Sequence, residues 1–175
     1  VDSYPQLGLD LQRTGYAAYV LELLDRFTYE EGQNRVLYQL LVDTLHHTAT
    51  AEDPFIPVRY YDMRMLDVLG FRPQLFTCVA CGEEIQPQDQ YFSAMQGGVL
   101  CPRCGSLEMG AVKVSTNTLR YLRHYQRSSY AEAARAGVPV GVRTEMETIL
   151  QGYMTYLLER GLNTPGFLRE MRGEY

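Results

Sequence analysis

No apolar run in this chain approaches the length of a membrane span. The short signatures that announce many enzymes are missing too: there is no G-x-x-x-x-G-K-[ST] phosphate loop, no H-E-x-x-H, no G-x-S-x-G and no G-x-G-x-x-G. The adjacent acids Glu30–Glu31 and Glu83–Glu84 diverge on a helix or strand and make poor acid–base pairs. A non-enzymatic role is therefore expected. Lysine is nearly absent, since Lys113 alone among the sixteen basic residues is one. Arginine in its place suits planar, bidentate phosphate recognition, although a genome-wide codon bias gives the same statistic. A net charge of −5 excludes a whole-protein basic field that would draw in nucleic acid. The charge is uneven: residues 1–77 hold six arginines against eleven acids, while residues 78–175 hold ten basic and ten acidic residues. Nothing at the N-terminus reads as a signal peptide, so a reducing, cytoplasmic compartment is expected. With 46% hydrophobic and 21% charged residues in 175, one or two small globular domains are implied.

Cysteine is scarce, and its placement is informative. Cys78, Cys81, Cys101 and Cys104 are the only four, spaced as C-x2-C, nineteen residues, then C-x2-C. That spacing points to a four-thiolate zinc site. Four thiolates fill a tetrahedral shell and leave no place for an activated water, so the ion is expected to be structural. A pair of disulfides is the competing reading, and it fits a reducing compartment poorly. A thioredoxin-like C-x-x-C needs a nearby βαβ pattern, which is not visible. Gly82 and Gly105 follow the second cysteine of each pair, where a positive φ would let the backbone fold back. Between the pairs, Tyr91–Phe92, a Gly97–Gly98 turn and Val99–Leu100 suit a β-hairpin.

Helical periodicity dominates elsewhere. Apolar spacing predicts helices over 12–27, over a second stretch capped by Asn34 and carrying Val36, Leu37, Leu40, Leu41 and Leu45, and over 55–69 with Gly70 as its C-cap. His46 and His47 fall in the last turn of the second. After the cysteines come a connector with a strand near 111–114, a helix over 119–127 capped by Thr116 or Asn117, and a short helix over 130–135. The last predicted helix spans 143–160, with Met146, Ile149, Leu150, Tyr153, Met154 and Leu157 as its buried stripe. Gly161 caps it, and Pro165 begins a final short turn. The expected fold is mainly α, a helical bundle with an inserted β-hairpin stapled by zinc on the four cysteines: residues 1–77 and 106–175 form the helical domain, and 78–105 the zinc-binding insertion.

One stretch resembles a nucleic-acid surface. In 119–127, LRYLRHYQR, the residues Arg120, Arg123, His124 and Arg127 share one helical face, with Tyr121 and Tyr125 beside them. Tyrosines so placed can stack on unpaired bases. The competing reading is the wet side of an amphipathic helix whose Leu119 and Leu122 face the core. Arg103, inside the second cysteine pair, would extend a positive patch, whereas Arg59, Tyr60 and Arg64 read as packing and surface charge.

LGLDLQR…YVLELLDRF, then YYDMRMLDVLGFRPQLFTCVACG and GGVLCPRCG, and finally LLERGLNTPGFLREM, together resemble the RecO family of bacterial DNA repair proteins. The resemblance spans nearly the whole chain and retains all four cysteines. It implies a recombination mediator that binds single- and double-stranded DNA and promotes annealing. It also implies work with RecR to help load RecA onto strands coated by single-strand-binding protein. Family members carry an N-terminal OB-fold before a helical, zinc-bearing domain, and no such β-rich segment is read ahead of Leu7. The resemblance also implies a grip on the acidic tail of single-strand-binding protein, which an arginine beside an apolar groove would serve. The alternative expectation is a zinc-stabilised protein-interaction scaffold, with DNA binding left to the OB-fold.

Overall fold

One helix is buried almost all round and the others are laid against it. In the computed structural model, which describes residues 7–8, 10–28 and 35–172 with side chains as far as Glu159, this is the third helix, α3 (Phe55–Val68). Ten of its fourteen residues are buried, leaving a narrow open edge of Tyr60, Arg64, Asp67 and Val68, so it is central. Helices α1 (Leu11–Phe27) and α2 (Arg35–Thr50) cover it from one side. The Asp10 side chain caps α1, accepting from the amides of Gln12 and Arg13. The Asn34 cap expected for α2 lies outside the described residues, and α2 runs on to Thr50, burying Thr48 and Ala49. Gly70, at φ 81°, ends α3 in a Schellman arrangement: its amide bonds the Asp67 carbonyl and the Phe71 amide bonds Leu66.

The chain then forms a small antiparallel sheet of β1 (Gln90–Ser93), β2 (Gly98–Leu100) and β3 (Val112–Val114), in the order β2-β1-β3. The expected hairpin is present, with Phe92 opposite Val99, and it gains a third strand with Phe92 opposite Val112. A single helical turn, α4 (Pro102–Gly105), leads out of β2. Beyond β3 follow α5 (Thr116–Arg127), α6 (Tyr130–Arg135) and α7 (Val140–Arg172). Helices α5, α6 and α7 all touch α3. Core residues from the sheet (Phe92, Val99, Leu100) belong to the same buried cluster as Leu122 of α5 and Met146 of α7. The Phe92 ring meets Tyr153 of α7 edge-on, with centroids 5.5 Å apart.

Four expectations need correction. Gly161 does not end the last helix: α7 starts at Val140 and continues through Gly161 and Pro165 to Arg172. A lone glycine or proline lowers helix stability by about 1 or 3 kcal/mol without forcing a stop. The cap of α5 is Ser115, whose hydroxyl accepts from the Thr118 amide, rather than Thr116 or Asn117. Gly82 does adopt a positive φ, 75°, but Gly105 does not. Its missing side chain serves packing instead, because a Cβ there would lie 2.4 Å from the Tyr91 side chain. Arg59, read as packing and surface charge, carries no surface charge at all: it is 0% exposed within α3, as is Asp62. Periodicity could not show this, because it is α1 and α7, through Tyr19 and Glu147, that close over the Arg59–Asp62 face of α3.

Candidate metal centre and nucleic-acid interface

The two cysteine pairs meet because each is held by local backbone bonding. In the first, Gly82 N donates to Cys78 O and Cys78 N to Glu83 O. In the second, α4 carries Cys104 back toward Cys101, with Gly105 N donating to Cys101 O. The result brings all four sulfurs within 4.8 Å of one another. Cys81 Sγ and Cys101 Sγ are 3.9 Å apart. A tetrahedral site with metal–sulfur bonds of about 2.3 Å requires sulfurs roughly 3.8 Å apart, so the donor set fits such an ion. Cys78 Sγ, buried, also accepts the Cys101 amide at 3.3 Å. Burial raises the Cys78 thiol, but the amides of Cys101, Cys81 and Ala80 outweigh it and bring it down to about 6. Cys104 is pushed up to about 12, first by its hydrogen bond with Cys101 and then by burial. A cation bound by the four sulfurs would displace the thiol protons. Arg103 sits exposed on the rim, 3.3 Å from Glu83 and interacting with the Cys81 and Cys104 sulfurs.

Helix α5 meets the segment that leads into the first cysteine pair, at Leu75 and Phe76. Its N-terminus is held by Ser115 and by two carboxylates: Glu145 accepts from Ser115 N at 3.0 Å, and Asp89 from Thr116 N at 2.9 Å. That places acids at the positive end of the helix dipole and leaves its basic residues toward the other end. Arg120 and Arg127 are exposed and Arg123 half-buried. Among the described residues none of the three has a carboxylate within 4.0 Å. Arg123 and Arg127 converge on Phe76, with guanidinium carbons 4.8 and 3.8 Å from the ring centroid. Arg123 Nε donates to Leu75 O at 2.8 Å. Burial, and then the Arg127 charge, lowers the Arg123 guanidinium from its ordinary value. Tyr121 is half-buried and donates to Gly137 O at 2.7 Å. Tyr125, expected beside the arginines, is 0% exposed and cannot stack on a base. It lies one turn after Leu122, on the buried side of α5.

A second feature is a groove of about 300 Å³ between α2, α3 and α6, whose lining includes Leu40, Asp43, His47, Tyr60, Arg64 and Tyr130. His47 stacks on Tyr130 at 3.8 Å, and Tyr60 meets Tyr130 edge-on. Burial and the neighbouring His46 push His47 below its ordinary range, favouring the neutral ring. Arg64 lies over Tyr60 and donates to the Ser128 carbonyl at 2.5 Å.

A family profile described as "Recombination protein O C terminal" matches residues 8–165. The chain belongs to the RecO family. It is 33% identical to "DNA repair protein RecO" of Roseiflexus sp. (strain RS-1) over 172 residues, covering 98% of this chain and 61% of that protein. Its identity to the protein of the same name from Desulforamulus reducens is 32%, over 95% of this chain and 65% of that one. For Symbiobacterium thermophilum the figure is 33%, over 98% and 69%. The chain thus spans about two thirds of the length of these RecO relatives. Among the described residues no helix is long and apolar enough to cross a membrane. Sequence reasoning brought the four cysteines and the three arginines forward but missed Phe76. Its only signal was an aromatic residue two positions before Cys78, and nothing in that spacing ties it to α5.

Proposed function

We propose that this chain is the helical, metal-bearing part of a non-enzymatic DNA repair and recombination mediator, and that it contacts DNA phosphates through Arg120, Arg123 and Arg127 on α5. The ion at Cys78, Cys81, Cys101 and Cys104 is zinc, and it is structural. The observation that carries the DNA reading is that three arginines share one helix face without a carboxylate partner within 4.0 Å among the described residues. Such contacts are independent of base sequence, as strand annealing requires. The mediator binds single- and double-stranded DNA and acts with RecR and single-strand-binding protein, reaching RecA indirectly. Arg103 shares its charge with Glu83 and two sulfurs, so it is the weakest contributor to the positive face.

The expected result is salt-sensitive binding of a fluorescein-labelled oligothymidine, read by anisotropy. Replacing Arg120, Arg123 and Arg127 together by alanine lowers the salt slope by about 2, since each single-strand phosphate contact contributes roughly 0.7. An unchanged affinity and slope would remove this site.

A second reading is favoured by the α2–α3–α6 groove, which joins apolar and aromatic walls to Arg64. It suits the acidic tail of single-strand-binding protein, and makes the chain a scaffold. Titrating a tail peptide against the same protein separates the two: peptide binding that is lost in Arg64→Ala, with no oligonucleotide binding, supports the scaffold.

A further inference from the structure

We propose that Phe76 is a positioning residue for phosphate binding, its ring holding Arg123 and Arg127 together as one phosphodiester clamp built between the cysteine knuckle and α5. The proposal rests on the phosphate-contact reading above and adds a residue from outside the helix. Arg123 and Arg127 are one turn apart on α5, where two like charges repel and long side chains spread into solvent. Here they do the reverse and meet over one ring, at 4.8 and 3.8 Å. The ring's negative face is what makes that convergence favourable. Arg123 is fixed further by its Nε bond to Leu75 O, which occupies one donor and leaves both Nη groups free of protein partners among the described residues. Arg127 has no hydrogen-bond or ion-pair partner there either. Two oriented guanidinium groups with open donor edges match the oxygens of a phosphodiester. Glu84 is the one carboxylate whose field reaches Arg123; it is exposed and makes no ion pair with it.

Phe76 is itself placed by the knuckle. Its carbonyl accepts from Ile85 N at 2.9 Å and its amide donates to Gln74 Oε1 at 3.0 Å. Thr77 bridges Glu84, and Cys78 N bonds Glu83 O. The backbone that carries the ring is therefore tied to residues 83–85 of the first cysteine turn. Arg120, one turn earlier on the same face of α5, continues the row and favours a strand over a single free phosphate.

Phe76→Leu keeps apolar bulk and removes the π-face, whereas Phe76→Trp keeps the π-face. Oligothymidine binding by the whole chain is expected to weaken about fivefold in Phe76→Leu, with the salt slope reduced, and to be retained in Phe76→Trp. Zinc content and helical circular dichroism are followed in each, and inorganic phosphate serves as a competitor to separate a strand from a free ion. Wild-type binding by Phe76→Leu, while Arg123→Ala and Arg127→Ala weaken it, makes the ring mere packing and overturns the proposal alone. Wild-type binding by all of these variants overturns the phosphate reading as well. If Phe76→Leu loses zinc or helix, Phe76→Trp decides: a folded, zinc-loaded Trp variant with weakened binding also overturns the clamp.

Discussion

Chelating the ion, or replacing Cys78 by serine, is expected to lower the melting temperature by about 15 °C or more and to send much of the protein into aggregates. A structural zinc supplies about 10–16 kcal/mol of apparent binding energy in small peptides. That is comparable to the roughly 5–15 kcal/mol net stability of a whole domain. Part of the knuckle's stability here comes from packing, since Phe92, Val99 and Leu100 are buried with the helices. A loss of about 5 kcal/mol is therefore a reasonable floor, and in a chain of this size each kcal/mol moves the midpoint by roughly 2–4 °C. Cys78 is the most damaging position because it is 1% exposed and its sulfur also accepts the Cys101 amide. Cys81→Ser, at an exposed cysteine, should be milder, lowering stability and soluble yield before DNA binding per folded molecule. The checks are zinc per chain by mass spectrometry and a calorimetric melt with and without chelator. A protein that carries no zinc and melts unchanged in chelator would rule out the structural role.

Much of this architecture was legible because its causes are local. The doubled C-x2-C marked the four cysteines whose sulfurs the fold gathers, and Gly70 placed the end of α3. Periodicity put Leu119 and Leu122 in the core and Arg120 and Arg127 in solvent. What escaped is what depends on elements far apart in sequence. Phe76 matters through two side chains about fifty positions later on α5. Gly105 matters because Tyr91, on β1, would occupy its Cβ. Tyr125 looked like a partner of the arginines until α3 was placed against it. Helix α3 itself gave the least warning. Its charged residues are spaced as on any amphipathic helix, and only the closure of α1 and α7 over Arg59 and Asp62 reveals that they are buried.

That buried pair has the second large expected effect. Arg59 Nη1 lies 3.2 Å from Asp62 Oδ2, and Nη2 lies 3.8 Å from Glu147 Oε1 on α7. Tyr19 of α1 donates to the other Asp62 oxygen and its ring faces the guanidinium. None of the three Arg59 nitrogens makes a well-directed hydrogen bond to protein. Desolvation is thus only partly offset, and removing one partner leaves the other stranded, at about 3–5 kcal/mol. Arg59→Met should melt roughly 10 °C lower, whereas Arg59→Met with Asp62→Leu should recover most of the loss. The pH dependence carries a definite sign. Burial raises the Asp62 carboxyl from 3.8 to about 6, against the pull of Arg59 and the Tyr19 hydroxyl. The folded state then holds more protons than the unfolded one between those values, so this group's contribution is greatest below about pH 4 and is lost as pH rises through about 6. Without Arg59 the carboxyl rises further and the window extends upward. The stability gap between wild type and Arg59→Met should therefore narrow as pH falls from about 8 to about 5, and Asp62→Leu should remove that slope. Denaturant titrations across this range decide it. Parallel pH profiles for wild type and both variants would mean that the pair does not titrate, and a fully stable Arg59→Met would mean that it holds nothing together.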